Sequence, residues 1–145
     1  MSTSSVAVLD HTVQETNVWL RIVAEQLHLE DRHHAYVALR AVLHALRDRL
    51  PPEVAVHLGA QLPILVRGVD YEGWHMAGKP VKDRSAQEFA DHILKELPPR
   101  FPMDPLTVAR GVFETLWEKL DPGEFTKLMD HLPASLRTLR PQSRK

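Results

Sequence analysis

The most informative absence in this sequence is cysteine, of which there is none. Without thiols the chain cannot form disulfides, thiolate nucleophiles, iron-sulfur clusters or thiolate zinc sites, and the absence fits a reducing compartment. Charge of one sign is not in excess either, since the formal net charge is -1. We therefore expect no overall attraction to nucleic acid or to acidic lipid.

Long apolar runs are also missing. The N-terminus, MSTSSVAVLD, has neither a positive region nor an apolar stretch of signal-peptide length, and no later segment approaches about 18 consecutive apolar residues. These absences predict a cytoplasmic protein without a membrane partner. A length of 145 residues is typical of one domain, 1–145, and we expect its locally basic tail, 140–145, to be solvated.

Motifs of catalysis and of cofactor binding are absent as well. The chain has no glycine-rich phosphate loop, no G-x-S-x-G elbow and no dinucleotide fingerprint. Nine histidines are present, but none has H-E-x-x-H or comparable spacing. His44 and Asp48, one helical turn apart, more often form a surface pair than a metal site. The sequence therefore predicts no catalytic residue, no metal and no cofactor, and it favours a function other than catalysis.

What the sequence does contain is helical periodicity along most of its length, which predicts an all-α fold. The pattern T-x-x-E beginning at Thr12 and the pattern S-x-x-E beginning at Ser85 are typical of capping boxes that open helices. Pro51 and Pro52 are predicted to end one helix and to begin the next, because proline cannot continue a helix but suits its first turn.

The segment between Arg32 and Leu50 has the widest apolar stripe in the chain. A helix with so little polar circumference is predicted to lie at the centre of a bundle, with only a narrow strip exposed to water. That polar strip consists of Arg40, His44, Arg47 and Asp48.

The chain also contains an internal similarity. The stretch HLGAQLPILVRG, which begins at His57, shares the frame L-x-x-x-L-P-x-x-x-R with KLMDHLPASLRT, which begins at Lys127. A shift of 70 residues aligns 19–69 with 89–139 without a gap, and the matched positions are mainly apolar residues and prolines. We interpret this as a duplicated unit of three helices, with a short fourth helix after each Leu-Pro left open.

The predicted organisation is a helical bundle in which the two tandem units share one core, since neither is large enough to stand alone comfortably. The first unit spans 12–69, a linker spans 68–84 and the second unit spans 85–139.

Residues that recur in both units belong to the framework, whereas a single binding site has no reason to recur. Arg67 recurs as Arg137, so its guanidinium is interpreted as lying on a helix end or on a carboxylate, with anion capture as the alternative. Tyr71 and Trp74 of the linker either anchor it over the seam between the units or line a pocket there. The candidate binding residues are Arg67, Tyr71, Trp74, His57 and Arg47.

The run DRHHAYVALRAVLHALRDRLPPEVAVHLGAQLPILVRGVDYEGW, followed by SAQEFADHI, resembles a bacterial family known as domain of unknown function 2267 (DUF2267). The similarity extends over most of the chain, from the first helix to the last Leu-Pro. It implies a small, all-helical bacterial protein, and it brings no substrate, cofactor or catalytic residue that can be transferred to this sequence.

The leading functional hypothesis is a non-catalytic interaction module that binds another protein or a second copy of itself. The alternative is a sensor that binds a small ligand, such as an anion, at the seam between the units. Nucleic acid is not expected to be the main partner, because Asp48 separates Arg47 from Arg49. An exposed apolar patch favours the first hypothesis, and an enclosed cavity beside Arg67, Tyr71 and Trp74 favours the second.

Overall fold

A computed structural model describes residues 6–82 and 84–141. Within these residues the chain forms eight α-helices and no β-strand, which confirms the predicted all-α class. The helices are α1 (Ala7–Leu27), α2 (Arg32–Arg49), α3 (Pro52–Ala60), α4 (Ile64–Tyr71), α5 (Ala86–Leu94), α6 (Pro105–Lys119), α7 (Pro122–Asp130) and α8 (Ala134–Arg137).

Prolines determine where several helices end, as the sequence predicts. After α2 the backbone of Leu50 is extended, and α3 begins at Pro52. The backbone is also extended at Pro63 and at Pro133, which precede α4 and α8. Each Leu-Pro pair therefore ends one helix and allows the next helix to start in another direction.

One of the two predicted capping boxes is confirmed. Ser85 accepts a hydrogen bond from the backbone N–H of Glu88, at 3.1 Å, and the Glu88 carboxylate accepts one from the N–H of Ser85, at 3.1 Å. The box predicted at Thr12 is wrong, because α1 already begins at Ala7 and its N-cap is Val6. Thr12 is buried within α1, where the backbone N–H groups already donate to backbone carbonyls and need no side-chain cap.

The central position predicted for α2 is confirmed. This helix contacts α1, α3, α4, α5 and α6, so nearly its whole circumference is covered. A single core of buried apolar side chains includes residues from every helix of the described chain. The three largest fully buried side chains, Phe89, Phe113 and Phe125, all come from the C-terminal half.

The predicted linker, 68–84, differs in detail from the structure. Its first residues form the last turn of α4, which extends to Tyr71. Beyond α4, the backbone N–H of Val81 donates to the carbonyl of Asp48 at 2.8 Å, which attaches the linker to α2. Most of the predicted basic tail, 142–145, lies outside the described residues, as do 1–5.

No helix in the described part of the chain is sufficiently long and apolar to cross a membrane.

The Leu-Pro leucines are predicted to be essential to the core, because Leu62 is 2% exposed and Leu132 is 1% exposed. Replacing either with alanine (Leu62→Ala or Leu132→Ala) should lower the free energy of unfolding by about 2–5 kcal/mol, through lost transfer energy and the cavity left behind. Urea unfolding followed by circular dichroism measures this loss. Leu94→Ala, on the exposed face of α5, is the control and should change stability by less than about 0.5 kcal/mol. A similarly small loss at Leu62 or Leu132 would contradict the prediction.

Candidate functional site

Most of the polar strip of α2 is buried, contrary to the prediction, and only Arg40 is partly exposed. His44 is only 3% exposed, and Arg47 and Asp48 are buried beside it. The expected surface pair of His44 and Asp48 is therefore wrong, since other parts of the chain cover the strip. Both α4 and α5 pack against α2, and their polar groups contact the strip directly.

His44 lies between two hydrogen-bond acceptors. Its Nδ1 atom is 2.8 and 2.9 Å from the two carboxylate oxygens of Glu96 on the segment after α5, and its Nε2 atom is 2.7 Å from the carbonyl of Val69 on α4. The tautomer of the ring determines which of these nitrogens donates. Arg40 brings a cation to the same carboxylate, donating to Glu96 at 2.9 Å and to Glu72 at 3.2 Å.

Arg47 and Asp48 form the other half of this network. The Arg47 guanidinium donates to both Asp48 carboxylate oxygens, at 2.8 and 3.2 Å, and to the carbonyls of Asp70 and Glu72, at 2.8 and 2.9 Å. His92 on α5 approaches the same carboxylate at 3.4 Å. Burial raises the pKa of Asp48, but hydrogen bonds from His92 and Arg47, together with the Arg47 and Lys79 charges, outweigh burial and hold that pKa at about 2.

These side chains are called the charged seam below. The charged seam consists of Arg40, His44, Arg47, Asp48, Glu72, His92 and Glu96.

Asp70 lies beside the charged seam but has a different environment. Its side chain is fully buried, and neither carboxylate oxygen has a hydrogen-bond partner among the described residues. Burial raises the pKa of Asp70 to about 7, because the Arg47 charge lowers it by less and the Asp48 charge raises it further. Asp70 is therefore a carboxyl group that changes charge near neutral pH.

The charged seam is suited to holding helices together more than to reacting with a substrate. Its carboxylates pair with Arg40 and Arg47, and Arg47 donates its hydrogen bonds to protein acceptors. Within the described residues, no group of three or more histidine, aspartate or glutamate side chains is placed to hold a metal ion.

Arg67, one of the predicted site residues, binds the end of a helix. Its guanidinium donates to the carbonyls of Gly59 and Leu62, at 2.8 and 3.0 Å, and more weakly to that of Ala60, at 3.4 Å. These carbonyls lie at the C-terminus of α3, where a cation is favourable. An open groove of about 490 Å³ lies next to Arg67 and also includes Glu15 and Lys119.

Tyr71 and Trp74 form a stacked pair, with ring centroids 5.4 Å apart and planes inclined by 17°. The Tyr71 hydroxyl donates to the carbonyl of Val56 at 3.3 Å, and the ring covers Gly59 so closely that a side chain there would collide with it. Trp74 packs against the core, with its buried indole N–H lacking a partner among the described residues. The pair therefore fixes the start of the linker to α3 and α4.

The remaining candidates lie apart from this pair. His57 is 2.7 Å from Glu124, which also accepts from Gln61, so His57 belongs to the contact between α3 and α7. Arg47 lies inside the charged seam. The structure thus brings together Tyr71 and Trp74, and it leaves Arg47 and His57 in separate places.

Sequence reasoning missed the partners on the second half of the chain, His92 and Glu96. They are one helical turn apart, as are Arg40 and His44 on α2. Polar residues at helical spacing on two separate segments, each with a basic and an acidic member, are a signal of contact, and matching them could have located the charged seam.

Two apolar surfaces are exposed in the described structure. One is the N-terminal part of α1, residues 7–15, called the α1 arm, where Val8, Leu9 and Val13 are 57%, 52% and 49% exposed. The other is the outer face of α4, which lines an open groove of about 520 Å³, called the α4 groove. The residues lining the α4 groove are Tyr36, Ile64, Leu65, Gly68, Val69, Tyr71 and Glu72.

A family model described as an uncharacterized conserved protein (DUF2267) matches residues 16–139. The matched range includes the whole charged seam and all of α4, and it begins immediately after the α1 arm. A search of curated proteins finds no match to the chain.

Asp70 should make the stability of the protein depend on pH. Its pKa of about 7 in the folded protein lies above the value of about 3.9 in the unfolded chain. The protonated carboxyl group therefore contributes its full stability below about pH 4. This contribution is lost as the pH rises through 7. Asp70→Asn, which stays neutral, should therefore gain stability over the parent protein between about pH 4 and pH 7, with the difference constant at higher pH. Urea unfolding at a series of pH values measures this difference.

The matched control is Asp130→Asn, at an exposed aspartate on α7. It makes the same chemical change at a surface position and shows what the substitution itself does to the measurement. The low pKa of Asp48 acts in the opposite direction, and only as the pH falls from about 4 through 2, so it does not interfere. A difference between Asp70→Asn and the parent that stays the same from pH 4 to pH 8 would contradict the prediction.

Proposed function

Because the chain belongs to the DUF2267 family, which is described only as an uncharacterized conserved protein, we propose a function from the geometry of its described residues: a non-catalytic protein-interaction module. The observation that carries this proposal is the α1 arm, a helical segment with exposed apolar side chains that no described part of the chain covers.

The α1 arm continues an apolar stripe that the rest of α1 buries. Leu9, Val13, Leu20, Val23 and Leu27 follow helical spacing, with Val23 and Leu27 buried and Leu9 and Val13 exposed. Among the described residues, no side chain caps the first turn of α1. An exposed helix end of this kind gains stability when a partner covers it. The stripe therefore supports a docking role for the arm.

The α1 arm also lies outside the part of the chain that is duplicated, if the fold is built from two related units. We infer such a duplication because α3 and α7 begin and end 70 residues apart, and because α2 and α6 end 70 residues apart. At the same shift, Ala86 at the start of α5 corresponds to Thr16. The α1 arm lies before that position and so has no counterpart in the second unit.

Hydrogen bonds support the duplication too. Arg67 donates to the carbonyls of Leu62 and Ala60, and Arg137 donates to those of Leu132 and Asp130, which are their equivalents at the shift of 70. Helix contacts between the halves also come in related pairs, since α1 contacts α6 as α5 contacts α2. Each proposed unit contains four helices, the fourth being α4 or α8.

Small-anion binding, the alternative, has less support. Arg67 and Lys119 do line the open groove of about 490 Å³. However, the Arg67 guanidinium already donates to backbone carbonyls, so an anion would have to compete with them. Tyr71 and Trp74 are not among the residues that line this groove, so the enclosed site expected for a ligand is not formed there.

The proposal predicts a protein contact at the α1 arm. A photo-crosslinking amino acid placed at Val13 should capture a specific protein in cells that express the chain, because Val13 lies on the exposed apolar stripe. The capture should be lost when Leu9→Glu is added, since a carboxylate would then have to be buried in the contact. Mass spectrometry of the crosslinked product identifies the protein.

The control places the same amino acid at Leu94, an equally exposed apolar residue on α5. Leu9→Glu should change the free energy of unfolding by less than about 0.5 kcal/mol, so a lost crosslink would not reflect unfolding. Identical products from Val13 and Leu94, or no product from Val13, would refute the proposed function.

A further inference from the structure

Glycines inside helices are used in this fold to make room for a neighbouring side chain. The missing side chain of Gly59 leaves space for the ring of Tyr71, and that of Gly111 leaves space for Leu27. At both positions a Cβ atom would collide with the neighbour. Each of these glycines therefore forms a notch that another residue of the same chain fills.

Gly68, in the middle of α4, is different. A Cβ atom added there would have no described atom within 4 Å, so this notch is open. Its backbone is helical, and its φ is not in the left-handed region that favours glycine. Glycine inside a helix destabilises it relative to alanine. Neither the backbone nor the packing of this chain accounts for glycine at this position.

The surroundings of Gly68 are apolar. Ile64, one turn before it, is 58% exposed, and Leu65 is also exposed. The rings of Tyr36 and Tyr71 line the same α4 groove. Among its lining residues in the described chain only Glu72 carries a charge, and Glu72 is paired with Arg40 at 3.2 Å. The α4 groove is therefore suited to an apolar helix face and poorly suited to a charged peptide.

We propose that the α1 arm of a second copy of this chain occupies the α4 groove, with its Leu9–Val13 ridge over the open notch at Gly68, and that two copies exchange arms reciprocally. This inference rests on the proposed interaction function and names the partner and the receiving surface. Rows of side chains four residues apart form the ridges that pack into helix grooves, and the Leu9–Val13 pair forms such a row.

A second copy is favoured because the arm and the groove lie close together on one molecule. Glu15 and Val18, at the base of the arm, line the same depression as Ile64, the first residue of α4. Each copy can therefore give its arm and receive another across one twofold axis, which closes the assembly. The exchange forms the contact twice, so the buried area is twice that of one arm in one groove.

The charges of the arm agree with this arrangement. On α1, His11 and Glu15 lie on the side opposite to Leu9 and Val13, where they form an exposed pair at 3.7 Å. They would stay in water when the apolar stripe is buried in the groove. Leu9 and Val13 themselves bring no charge to Glu72, and Asp10, the other charged residue of the arm, lies at the flank of this stripe.

The test is analytical ultracentrifugation of the full chain from low micromolar to near-millimolar concentration. The parent protein should form a dimer, and Leu9→Glu combined with Val13→Glu should be monomeric. Gly68→Ala should weaken the dimer by about tenfold, because a methyl group would intrude on a filled contact. The same substitution should raise the Tm of the dilute monomer by about 2 °C, since alanine favours the helix.

Gly68→Gln, which fills the notch with a larger polar group, should abolish the dimer. Leu94→Gln, which removes an exposed apolar residue elsewhere, should leave the dimer unchanged. The inference is overturned if the parent is monomeric at every concentration, if it forms open polymers, or if Gly68→Gln is as dimeric as the parent. Crosslinking from Val13 distinguishes the two proposals. If Val13 captures a different protein, and still does so in the Gly68→Gln variant, the proposed interaction function stands and the second copy as partner is refuted.

Discussion

The guanidinium of Arg47 connects more of this structure than any other side chain described above. It forms a bidentate pair with its chain neighbour Asp48, and it also binds the carbonyls of Asp70 and Glu72 at the end of α4. Asp48 in turn contacts His92 on α5, and its own carbonyl holds the linker at Val81. Two adjacent residues on α2 therefore fix the positions of α4, the linker and α5. Removing one partner of such a buried pair typically costs about 3–5 kcal/mol, because the other charge is left without compensation.

Two contacts between the halves of the chain differ in their chemistry. Where α1 meets α6, Leu27 fills the notch at Gly111, an apolar contact. Where α2 meets α5 and the segment after it, Arg40 and His44 bind Glu96. Apolar surfaces tolerate small shifts, whereas hydrogen-bonded ion pairs accept few arrangements. The charged seam therefore restricts the alignment of the halves more than the apolar contact does.

Much of the fold could be predicted from the sequence because its signals are local. Helical periodicity, the proline pairs and the Ser85 capping box each act within a few residues, and each was confirmed. Thr12 misled the prediction because its capping pattern also occurs inside a helix, and the apolar residues before it extend α1 to Ala7. The burial of Asp48 could not be predicted from α2 alone, since it depends on His92 of a distant helix. The exposed notch at Gly68 likewise depends on which helix faces remain uncovered after folding.

The proposed dimer would stabilise two segments of the chain that are each less stable than they could be. Within the described residues, no side chain caps the α1 arm, its Leu9 and Val13 are exposed, and no atom fills the notch at Gly68 on α4. Each feature lowers the stability of its own helix by roughly 1 kcal/mol, and nothing in the described part of one copy compensates for either. Both are compensated together if the arm of one copy fills the groove of another. Because a rigid core supports α1 from Trp19 onward, the arm is already helical before it binds, and little conformational entropy is lost on association. A short, ordered arm is therefore sufficient, because each arm–groove contact can be weak when the twofold axis forms it twice.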